Sequence, residues 1–405
     1  MSENNLENKS EKYFEITKKV DGTRARTGII HTAHGDVTTP QFLPIGTKGT
    51  IKTVTSEEIK FWGATMVLAN TYHLWQRPGD ALIYKAGGLH KFMNWKGPIF
   101  TDSGGFQVYS LAKMRKVLEA GVLFQFDMDG KQEILSPEKS IDIQANLGSD
   151  ICLILDDFPG FPFEHKRSKE SIELTKRWAE RAVAEHKRIM DHGDPINPGQ
   201  KLWGIVQGAS FEDLRKQSAE NMVELGFEGF AIGGVAVGEP HEEMMKAVSY
   251  AIPHLPEEAP KHLLGVGTPF DIVQAVGQGC DTFDCVIPMR EARHGRLYIS
   301  ARTEDGKEAY ETIDVRNAQY AEDFTPIDSS CNCYACLNHT RAYVNHLIKS
   351  DEMLGARLAT MHNLRFYLNL MDKIRKAIEF DYFDDMLNDF KDLTPPKGLA
   401  KSTND

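Results

Sequence analysis

The strongest constraint on the fold of this chain is an alternation of short apolar segments with amphipathic helical segments. Eight apolar segments, each closed by glycine or a polar residue, have the length and composition of buried strands. They are Gln41–Ile45, Ala64–Ala69, Pro98–Phe100, Asp150–Leu155, Leu202–Val206, Gly229–Ile232, His262–Val266 and Thr282–Ile287. Helical patterns separate most of them, at Ser56–Trp62, Ser136–Leu147, Ser168–His192, Phe211–Glu224, Glu242–Ala251 and Phe270–Val276.

An α/β fold with this repeat is typical of a parallel (β/α)8 TIM barrel. The alternative is a doubly wound open sheet, which usually has fewer strands and often begins with a glycine-rich turn that this sequence does not contain. We predict a catalytic barrel over residues 13–290, entered through an N-terminal hairpin in 13–38. Residues 291–390 are expected to form an appended zinc-binding subdomain with C-terminal helices, and residues 1–12 and 391–405 to be disordered or flexible tails.

Three of the six cysteines lie close together, in the segment Cys331-Asn332-Cys333-Tyr334-Ala335-Cys336. Thiolates with this spacing converge on one tetrahedral ion, and zinc is the usual ion. Disulfides or free core thiols are the alternatives, but disulfides are typical of small secreted domains. The spacing leaves the fourth ligand open among His339, His346 and His362. Because such a site uses all its ligands, catalysis is expected elsewhere.

Composition and charge limit the function only loosely. With 41% hydrophobic residues the chain can bury a large core, and no apolar run reaches the ~18–20 residues of a membrane span. No signal peptide is recognisable, so we expect a cytoplasmic protein. The net charge of −11 argues mildly against a nucleic-acid partner. Two local basic stretches, at 113–116 and 290–296, could nevertheless contact phosphates.

Polar residues and glycines gather where the predicted strands end. In (β/α)8 barrels this carboxyl-terminal rim contains the active site. The third to eighth strands end in Thr101–Gln107, Asp156–Asp157, Gln207–Gly208, Gly233–Gly234, Gly265–Gly267 and Phe283–Cys285. The sequence therefore predicts a concave site that contains carboxylates, an amide side chain and exposed glycine backbone.

Asp102 and Asp284 are the candidates for catalysis, because their strands bring them to the same rim. Two carboxylates in one cleft suit glycosidic-bond chemistry, with one as nucleophile at an anomeric carbon and the other as proton shuttle. Asp156 and Gln207 could hydrogen-bond a heterocycle, and the glycine pairs would let a flat ring approach the backbone. Strand-end caps, solvated carboxylates and a phosphate-binding turn at 102–105 are the alternatives.

Four motifs at this rim resemble those of tRNA-guanine transglycosylases. They are Thr101–Gln107 (TDSGGFQ), Trp203–Gly208 (WGIVQG), Gly233–Glu239 (GGVAVGE) and Phe283–Val286 (FDCV), and the cysteine motif with a downstream histidine also matches. The resemblance covers about residues 13–380 and agrees in order and spacing. It implies a pentosyltransferase that replaces guanine at the wobble position of tRNAs with a G-U-N anticodon (those for Asp, Asn, His and Tyr) by the queuosine precursor preQ1, a 7-deazaguanine base.

The resemblance also implies residue roles. Asp284 would attack C1′ of the ribose to form a covalent aspartyl-ribosyl intermediate, and Asp102 would be the general acid/base. The base would be bound by Ser103, Gly104, Gly105, Phe106, Asp156, Gln207, Gly233 and Gly234. The anticodon would be recognised by Gly265, Val266, Gly267, Thr268, Pro269, Phe270 and Asp271, and by Met289, Arg290, Glu291, Ala292 and Arg293. One structural Zn²⁺ per subunit would be bound by Cys331, Cys333, Cys336 and His362, in a homodimer of which one subunit helps to bind the tRNA.

One segment departs from the resemblance. Bacterial members commonly have Glu-Cys-Thr/Ala-Pro after the residue that matches Asp156, whereas this chain has Asp157-Phe158-Pro159-Gly160. The segment Leu155–Asp157 is similar to the eukaryotic branch, which uses queuine, while Val235–Glu239 is similar to the bacterial branch. Queuine as the incoming base is therefore one alternative. A non-catalytic tRNA-binding subunit is another, although it is not expected to keep both aspartates, and an unrelated barrel glycosidase would have no use for the base-binding residues.

Overall fold

Strands and helices alternate along the chain in the computed structural model, which describes residues 12–111, 115–125, 130–303 and 306–391. The strands are β1 (Phe14–Lys19), β2 (Arg26–Thr32), β3 (Gly35–Thr39), β4 (Gln41–Leu43), β5 (Val67–Ala69), β6 (Ile99–Thr101), β7 (Arg115–Leu118), β8 (Gly121–Gln125), β9 (Gln132–Leu135), β10 (Ile151–Leu153), β11 (Lys201–Val206), β12 (Phe230–Ile232), β13 (Lys261–Leu263), β14 (Thr282–Asp284), β15 (Arg296–Arg302) and β16 (Glu308–Asp314). The α-helices are α1 (Ser56–Phe61), α2 (Thr71–Gln76), α3 (Asp80–Lys85), α4 (Leu89–Met93), α5 (Gly105–Leu111), α6 (Pro137–Leu147), α7 (His165–His192), α8 (Glu212–Glu224), α9 (His241–Ala251), α10 (Pro269–Gly277), α11 (Ile287–Arg293), α12 (Tyr334–Asn338), α13 (Arg341–Lys349), α14 (Met353–Glu379) and α15 (Phe383–Lys391).

Eight parallel strands form the central sheet, in the order β4-β14-β13-β12-β11-β10-β6-β5. The two ends of this sheet meet, because Ile45 beyond β4 makes a parallel bridge with Leu68 of β5. Each of the eight apolar segments overlaps one of these strands, and the strands are buried almost throughout. The predicted (β/α)8 barrel is therefore confirmed, and the open-sheet alternative is wrong.

Two antiparallel sheets differ from the prediction or were missing from it. The N-terminal segment forms a three-stranded sheet, β1-β2-β3, whereas the predicted hairpin has only two strands. That strand is short and begins with Gly35 and Asp36, residues that favour a turn, and only Val37 and Thr39 of it are buried. A second three-stranded sheet, β7-β8-β9, is inserted between β6 and α6. Half of the residues in each outer strand are polar, so the sequence contains no apolar run that would predict these strands.

Helix starts follow local capping chemistry. The Ser136 side chain accepts a hydrogen bond from the backbone N–H of Lys139, and Pro137 occupies the first position of α6. Thr55 and Glu58 form a reciprocal capping box at α1. Such caps satisfy N–H groups at helix ends, where no intrahelical carbonyl is available.

The amino-terminal end of the barrel is held by buried polar groups. Both carboxylate oxygens of Asp150 are occupied: Oδ1 accepts from the backbone N–H of His34 (3.1 Å) and Oδ2 from that of Ile99 (2.9 Å). The rings of His34 and His90 also contact these oxygens and stack on each other at 3.6 Å. The hydrogen bonds from these histidines lower the pKa of Asp150 to about 2, despite its burial. Although the three side chains are close enough to hold a metal ion, these hydrogen bonds already explain their arrangement.

The helices after the barrel pack against its last elements. Asn363 of α14 donates to the carbonyls of Pro288 (2.8 Å) and Arg296 (3.1 Å) and accepts from the N–H of Tyr298 (3.1 Å). The hydroxyl of Tyr367, one turn further along, donates to the carbonyl of Gly267 over 2.5 Å. The long helix α14 therefore braces both α11 and the start of α10.

Parts of the chain fall outside the described residues. They include most of the two predicted tails and Lys113 and Met114 of the first basic stretch. Within the part that the structure describes, no helix is long and apolar enough to cross a membrane.

Candidate active site and metal centre

The polar residues predicted at the strand ends do meet at one rim. Asp102 directly follows β6, Gln207 directly follows β11, and Asp284 is the last residue of β14. Asp156 lies just beyond β10, and Gly233 and Gly234 follow β12. Since all these strands are parallel, the carboxyl-terminal end of the barrel collects the whole set.

Asp102 is held by the neighbouring strand end. Its Oδ1 accepts the backbone N–H of Thr71 (2.8 Å), and its Oδ2 accepts Nδ2 of Asn70 (2.5 Å). Burial raises the pKa of Asp102 to about 6, and the negative charge of Asp284 adds to the rise. A carboxyl group that titrates near neutral pH can both give and take a proton, which general acid–base catalysis requires.

Asp284 has its two carboxylate oxygens in different environments. Oδ1 lies 3.0 Å from the backbone nitrogen of Gly265 and 3.0 Å from Nε2 of His262. Oδ2 has no hydrogen-bond partner among the described residues. The residue as a whole is only 8% exposed. One oxygen is thus fixed while the other is left for a ligand.

Asp156 and Gln207 form a second polar pair at the rim. Nε2 of Gln207 donates to Oδ2 of Asp156 over 2.5 Å, and burial raises the pKa of Asp156 to about 7. Oε1 of Gln207 is buried and has no partner within the described chain, so it could accept a hydrogen bond from a ligand. A Cβ on Gly233 or Gly234 would lie 2.5 or 2.3 Å from the Gln207 amide, so glycine is needed at both positions.

A buried arginine supports the loops under this pair. Arg215 of α8 donates to the carbonyls of Val206 (2.9 Å), Gly233 (2.9 Å) and Ala209 (2.6 Å). Burial lowers its pKa to about 9. These three hydrogen bonds join the ends of β11 and β12, so they fix the spacing between the Gln207 and Gly233–Gly234 parts of the site.

Two phenylalanines mark the mouth of the cleft. The ring of Phe106 is 48% exposed and lies nearly parallel to that of Phe158, with ring centres 6.0 Å apart. The neighbouring Asp157 points away, since its carboxylate pairs with Arg167 at 2.7 Å. Within the segment that departs from the resemblance, Phe158 rather than Asp157 therefore lies beside the site.

The first predicted RNA-binding segment is only partly presented to solvent. Of residues 265–271, Gly265 is exposed and the others are buried. The carboxylate of Asp271 is already engaged by Thr268 (2.6 Å) and lies 2.6 Å from Nδ1 of His241. Gly265 is therefore the member of this segment best placed to contact a ligand.

The second predicted RNA-binding segment presents its arginines. Met289 and Ala292 are buried, and Glu291 accepts a hydrogen bond from the hydroxyl of Tyr298 (3.0 Å). Arg290 and Arg293 are partly exposed. The guanidinium of Arg290 makes no hydrogen bond or ion pair within the described residues, so it is available to an anion.

Several residues of the site were not predicted from the sequence. Asn70 and Thr71 follow the second strand directly and could have been found as polar strand-end residues. Lys48 and Lys52 lie in the loop after β4, where the only signal was their charge. Burial lowers the pKa of Lys52, and the positive charges of Arg293 and Lys48 lower it further, so these cations form one basic patch at the rim.

The cysteine motif folds into a buried cluster. Ligand atoms of Cys331, Cys333, Cys336 and His362 lie within 4.8 Å of one another, so His362 completes the set rather than His339 or His346. Nε2 of His362 lies 2.6 Å from the carbonyl oxygen of Tyr298, and its Nδ1 lies 3.2 Å from Sγ of Cys336. Because a carbonyl accepts only, Nε2 carries the proton and the Nδ1 lone pair faces the sulfurs, as metal binding requires.

The electrostatics of this cluster also suit a cation. Hydrogen bonds from Cys331 and Cys336 lower the pKa of the Cys333 thiol. The pKa of Cys336 is raised, because hydrogen bonding with the Cys331 and Cys333 sulfurs favours its protonated form. The cluster therefore holds one thiolate readily, whereas three thiolates at this separation would repel each other without a positive ion. Geometry and charge both fit a bound metal ion.

The barrel rim combines a carboxylate with one fixed oxygen, a carboxyl group whose pKa is raised to about 6 and a carboxyl–amide pair, an arrangement that suits the active site of an enzyme. Comparison with known proteins gives a narrower result. The family model described as queuine tRNA-ribosyltransferase matches residues 21–396. The chain belongs to this family, and it is accordingly a transferase of the pentosyltransferase type.

Proteins named queuine tRNA-ribosyltransferase are similar over almost their whole length. The one from Streptococcus gordonii is 51% identical over 379 residues, 94% of each chain. The one from Streptococcus mutans is 52% identical over 377 residues, which is 93% of this chain and 95% of the relative. The one from Psychrobacter cryohalolentis is 48% identical over 378 residues, 93% and 96% of the two chains.

Proposed function

We propose that this protein replaces guanine at the wobble position of tRNAs with a G-U-N anticodon by preQ1, through a covalent intermediate on Asp284. The observation that carries the proposal is that two carboxyl groups in the site have different environments. Asp284 has one oxygen fixed by hydrogen bonds and one free, whereas burial raises the pKa of Asp102 to about 6. A nucleophile and a proton shuttle are what a double displacement at an anomeric carbon needs.

In the first displacement, Oδ2 of Asp284 forms a bond to C1′ of the ribose. The bond between C1′ and the base breaks, and its electron pair leaves with guanine, which takes a proton from the carboxyl group of Asp102. Asn70 and the N–H of Thr71 hold the resulting Asp102 carboxylate. Because these donors are already in place, the charge that forms on Asp102 needs little reorganisation.

In the second displacement, N9 of the incoming base forms a bond to C1′. The bond between C1′ and Oδ2 breaks, and its electron pair returns to Asp284 as a carboxylate. Asp102 takes the N9 proton of the incoming base and is ready for the next cycle. Carboxylate is a suitable nucleophile here, because it can leave an anomeric carbon as readily as it attacks it.

Base recognition is assigned to the Asp156–Gln207 pair and its surroundings. Asp156 would accept the N–H donors on the pyrimidine edge of the base, and Phe106 would stack on its face. The Gly233–Glu239 wall contains the Glu239 carboxylate, which accepts the N–H groups of Ala236 (2.5 Å) and Val237 (2.9 Å). A negative charge in this wall favours the cationic aminomethyl group of preQ1. Queuine remains the alternative, since Phe158, in the segment that departs from the bacterial pattern, lies beside Phe106.

Recognition of the tRNA is assigned to the basic patch and Gly265. Lys48, Lys52, Arg290 and Arg293 concentrate positive charge at the rim of a chain whose net charge is −11. A flipped wobble base could then enter the cleft while neighbouring phosphates contact the patch. The anticodon bases next to it would meet Gly265 and the exposed side of α11.

We assign Zn²⁺ to the cluster formed by Cys331, Cys333, Cys336 and His362, because three thiolates and one imidazole are its usual structural ligands. When bound, the ion supplies cross-linking and no chemistry. The catalytic unit would span residues 13–290, and residues 291–390 would form the zinc subdomain with its terminal helices. A cytoplasmic location follows from the tRNA substrate.

A homodimer is proposed from an exposed apolar surface. Phe61 of α1 and Met353 of α14 are 87% and 85% exposed. The two helices are neighbours, since Arg357 of α14 donates to Thr53 and to Glu58 of α1. Leu337 of α12 is 69% exposed as well. Large apolar side chains exposed on neighbouring helices favour a protein interface, and one subunit could then help to bind the tRNA held by the other.

A base-exchange assay tests the proposed function. Unmodified tRNA with a G-U-C anticodon is first loaded with labelled guanine by the enzyme, and preQ1 or queuine is then added in parallel. Release of labelled guanine with preQ1 is the expected result. Release with queuine alone would replace preQ1 as the incoming base, and no exchange despite tRNA binding would indicate a non-catalytic subunit. The Asp284→Asn variant is the control and should form no denaturant-resistant RNA adduct.

A further inference from the structure

His262 is buried in the barrel and faces the proposed nucleophile. It lies in β13, which pairs in parallel with β14 so that His262 is opposite Thr282. Side chains on one face of a strand recur every second residue, so Thr282 and Asp284 point to the same side of the sheet. Nδ1 of His262 lies 2.9 Å from Oγ1 of Thr282, and Nε2 lies 3.0 Å from Oδ1 of Asp284. The imidazole therefore bridges two residues of the catalytic strand.

The protonation of this imidazole follows from its partners. Because the Asp284 carboxylate can only accept, Nε2 must carry a proton and donate it. Nδ1 can then accept the hydroxyl hydrogen of Thr282. The ring of Phe100, whose centre is 4.7 Å away, covers one face of the imidazole. His262 is 0% exposed, so the ring is held in one position by packing and by both of its nitrogens.

A role confined to packing does not account for this arrangement. A buried polar ring is costly unless its nitrogens are paired, and an apolar side chain would fill the same space without that requirement. The hydrogen bond to Asp284 also falls on a particular oxygen. Together with the N–H of Gly265, Nε2 of His262 occupies Oδ1 and leaves Oδ2 without a partner in the described part of the chain.

We propose that His262 is a positioning residue, which turns the Asp284 carboxylate so that Oδ2 faces C1′ and which stabilises that carboxylate when it leaves again. This inference deepens the proposed function and depends on Asp284 being the nucleophile. In the covalent intermediate Oδ2 is bonded to C1′ and Oδ1 becomes the ester carbonyl oxygen. The same two donors then act on Oδ1. When the bond between C1′ and Oδ2 breaks, the electron pair returns to the carboxylate and both donors stabilise its charge.

A pair of amide variants isolates this hydrogen bond. The side-chain nitrogen of glutamine can reach the place of His Nε2, whereas that of asparagine reaches only the place of Nδ1. His262→Gln therefore keeps a donor for Asp284, and His262→Asn keeps a partner for Thr282 alone. Both are uncharged and polar, so a difference between them reports on the contact with Asp284 rather than on the loss of the imidazole.

The expected result is a loss of kcat in His262→Asn of about 100-fold, the effect typical of losing one preorganised donor. KM and Kd for tRNA should stay within about twofold of the wild type, because His262 does not reach the surface. His262→Gln should recover kcat to within about tenfold. A denaturant-resistant adduct formed in advance should also decay more slowly in His262→Asn when it is chased with unlabelled guanine.

Two results would overturn the proposal. One is equal kcat in the asparagine and glutamine variants when both keep the melting temperature and tRNA affinity of the wild type. The other is a loss of kcat that appears only together with a lower melting temperature and a higher Kd, which would indicate a structural role. Should His262→Asn not fold, His262→Phe replaces it, since it keeps an aromatic ring beside Phe100 and has no donor.

Failure of the proposed function would look different. If wild-type protein exchanges no base, or if Asp284→Asn still forms an RNA adduct, the assignment of the nucleophile is wrong whatever the His262 variants do. If the wild-type enzyme exchanges base and Asp284→Asn forms no adduct, but the His262 variants keep the wild-type kcat, only the positioning role is rejected.

Discussion

At the scale of single residues, burial raises the pKa of two carboxyl groups in the site, but their contacts suit them to different roles. Burial raises the pKa of Asp102 to about 6 and that of Asp156 to about 7. Asp102 contacts backbone and amide donors that can hold its charge, while Asp156 contacts Gln207. The first group is suited to moving a proton during the reaction, and the second to binding a ligand whose donors favour the ionised form.

This difference predicts how base binding depends on pH. A 7-deazaguanine base presents N–H donors, which only the ionised carboxylate of Asp156 can accept in full. Since burial raises the pKa of Asp156 to about 7, affinity should rise with pH up to about 7 and level off above it. Asp156→Asn should bind about 10- to 100-fold more weakly above pH 8, because a charge-assisted hydrogen bond is lost, and should show no such slope. Calorimetric titration of preQ1 into tRNA-free enzyme between pH 5.5 and 8.5 measures this, and a wild-type affinity independent of pH would contradict it.

Contacts between residues on neighbouring barrel strands are the part of the site that the sequence predicts least well. The strand ends and their carboxylates could be predicted, because each buried strand is a short apolar run with an obvious end. The hydrogen bond between Asp102 and Asn70 joins two strands, and nothing in the sequence specifies which residues become lateral neighbours. His262 was likewise hidden, since a histidine inside an apolar segment looks like any other core residue.

At the scale of elements, the loop after β12 depends on glycine for two separate reasons. Gly234 has φ +63°, and a Cβ there would lie 2.3 Å from Oε1 of Gln207. Gly238, in the same loop, has φ +114°, but the nearest atom to its Cβ would be 4.0 Å away on Phe161. An alanine therefore brings backbone strain at both positions and a collision only at Gly234.

The pair Gly234→Ala and Gly238→Ala separates these effects. Both variants should lose roughly 1 kcal/mol or more of stability, since alanine is strained at positive φ. Only Gly234→Ala should displace Gln207 from Asp156 and raise KM for the incoming base, by about tenfold or more. Melting curves and initial rates at varied preQ1 concentration are the measurements. An equal KM for base in both variants would show that Gln207 tolerates the extra methyl group.

The metal cluster acts on the site through α14. His362 contributes to the cluster, and the next residue, Asn363, holds Pro288 in α11 and Arg296 at the start of β15. Helix α11 directly follows the strand that ends in Asp284. Loss of the ion should therefore disturb the nucleophile strand as well as the subdomain.

Cys333→Ala is expected to lose bound zinc and to lower the melting temperature by roughly 10 °C, because metal binding contributes several kcal/mol to folding. Zinc content by atomic emission and thermal unfolding are measured together. Cys152→Ala is the matched control: its thiol is equally buried but lies in β10, outside the cluster, so its zinc content should be unchanged. A zinc-free Cys333→Ala protein with the melting temperature of the wild type would show that the cluster does not stabilise the fold.

Element boundaries show what patterning can and cannot predict. Barrel strands and the larger helices were predicted because burial on all sides or on one face leaves a periodic apolar signal. The sheet β7-β8-β9 and the hairpin β15-β16 were not predicted, since most of their strands mix polar with apolar residues and are only partly buried. Their existence depends on pairing with each other, and periodicity along one strand does not report that pairing.

At the scale of the whole molecule, net charge and local charge point in opposite directions. The chain carries a net charge of −11, which on its own disfavours a polyanionic partner. Two elements nevertheless bring four cations together at the catalytic rim: the loop after β4 contains Lys48 and Lys52, and α11 contains Arg290 and Arg293. A basic patch on an acidic protein favours one orientation of tRNA, because the remaining surface repels phosphates.

Salt dependence of tRNA binding tests this arrangement. Arg290 has no ion-pair partner within the described residues, so Arg290→Ala should remove about one phosphate contact and lower the slope of log K against log salt concentration by about one.

Arg188→Ala is the control of equal charge change. Arg188 pairs with Glu185 near the end of α7, which runs away from the catalytic rim, so the slope should not change. Binding is measured by fluorescence anisotropy between 50 and 300 mM salt. Equal slopes for the two variants would mean that overall charge, rather than the patch at the rim, governs the encounter with tRNA.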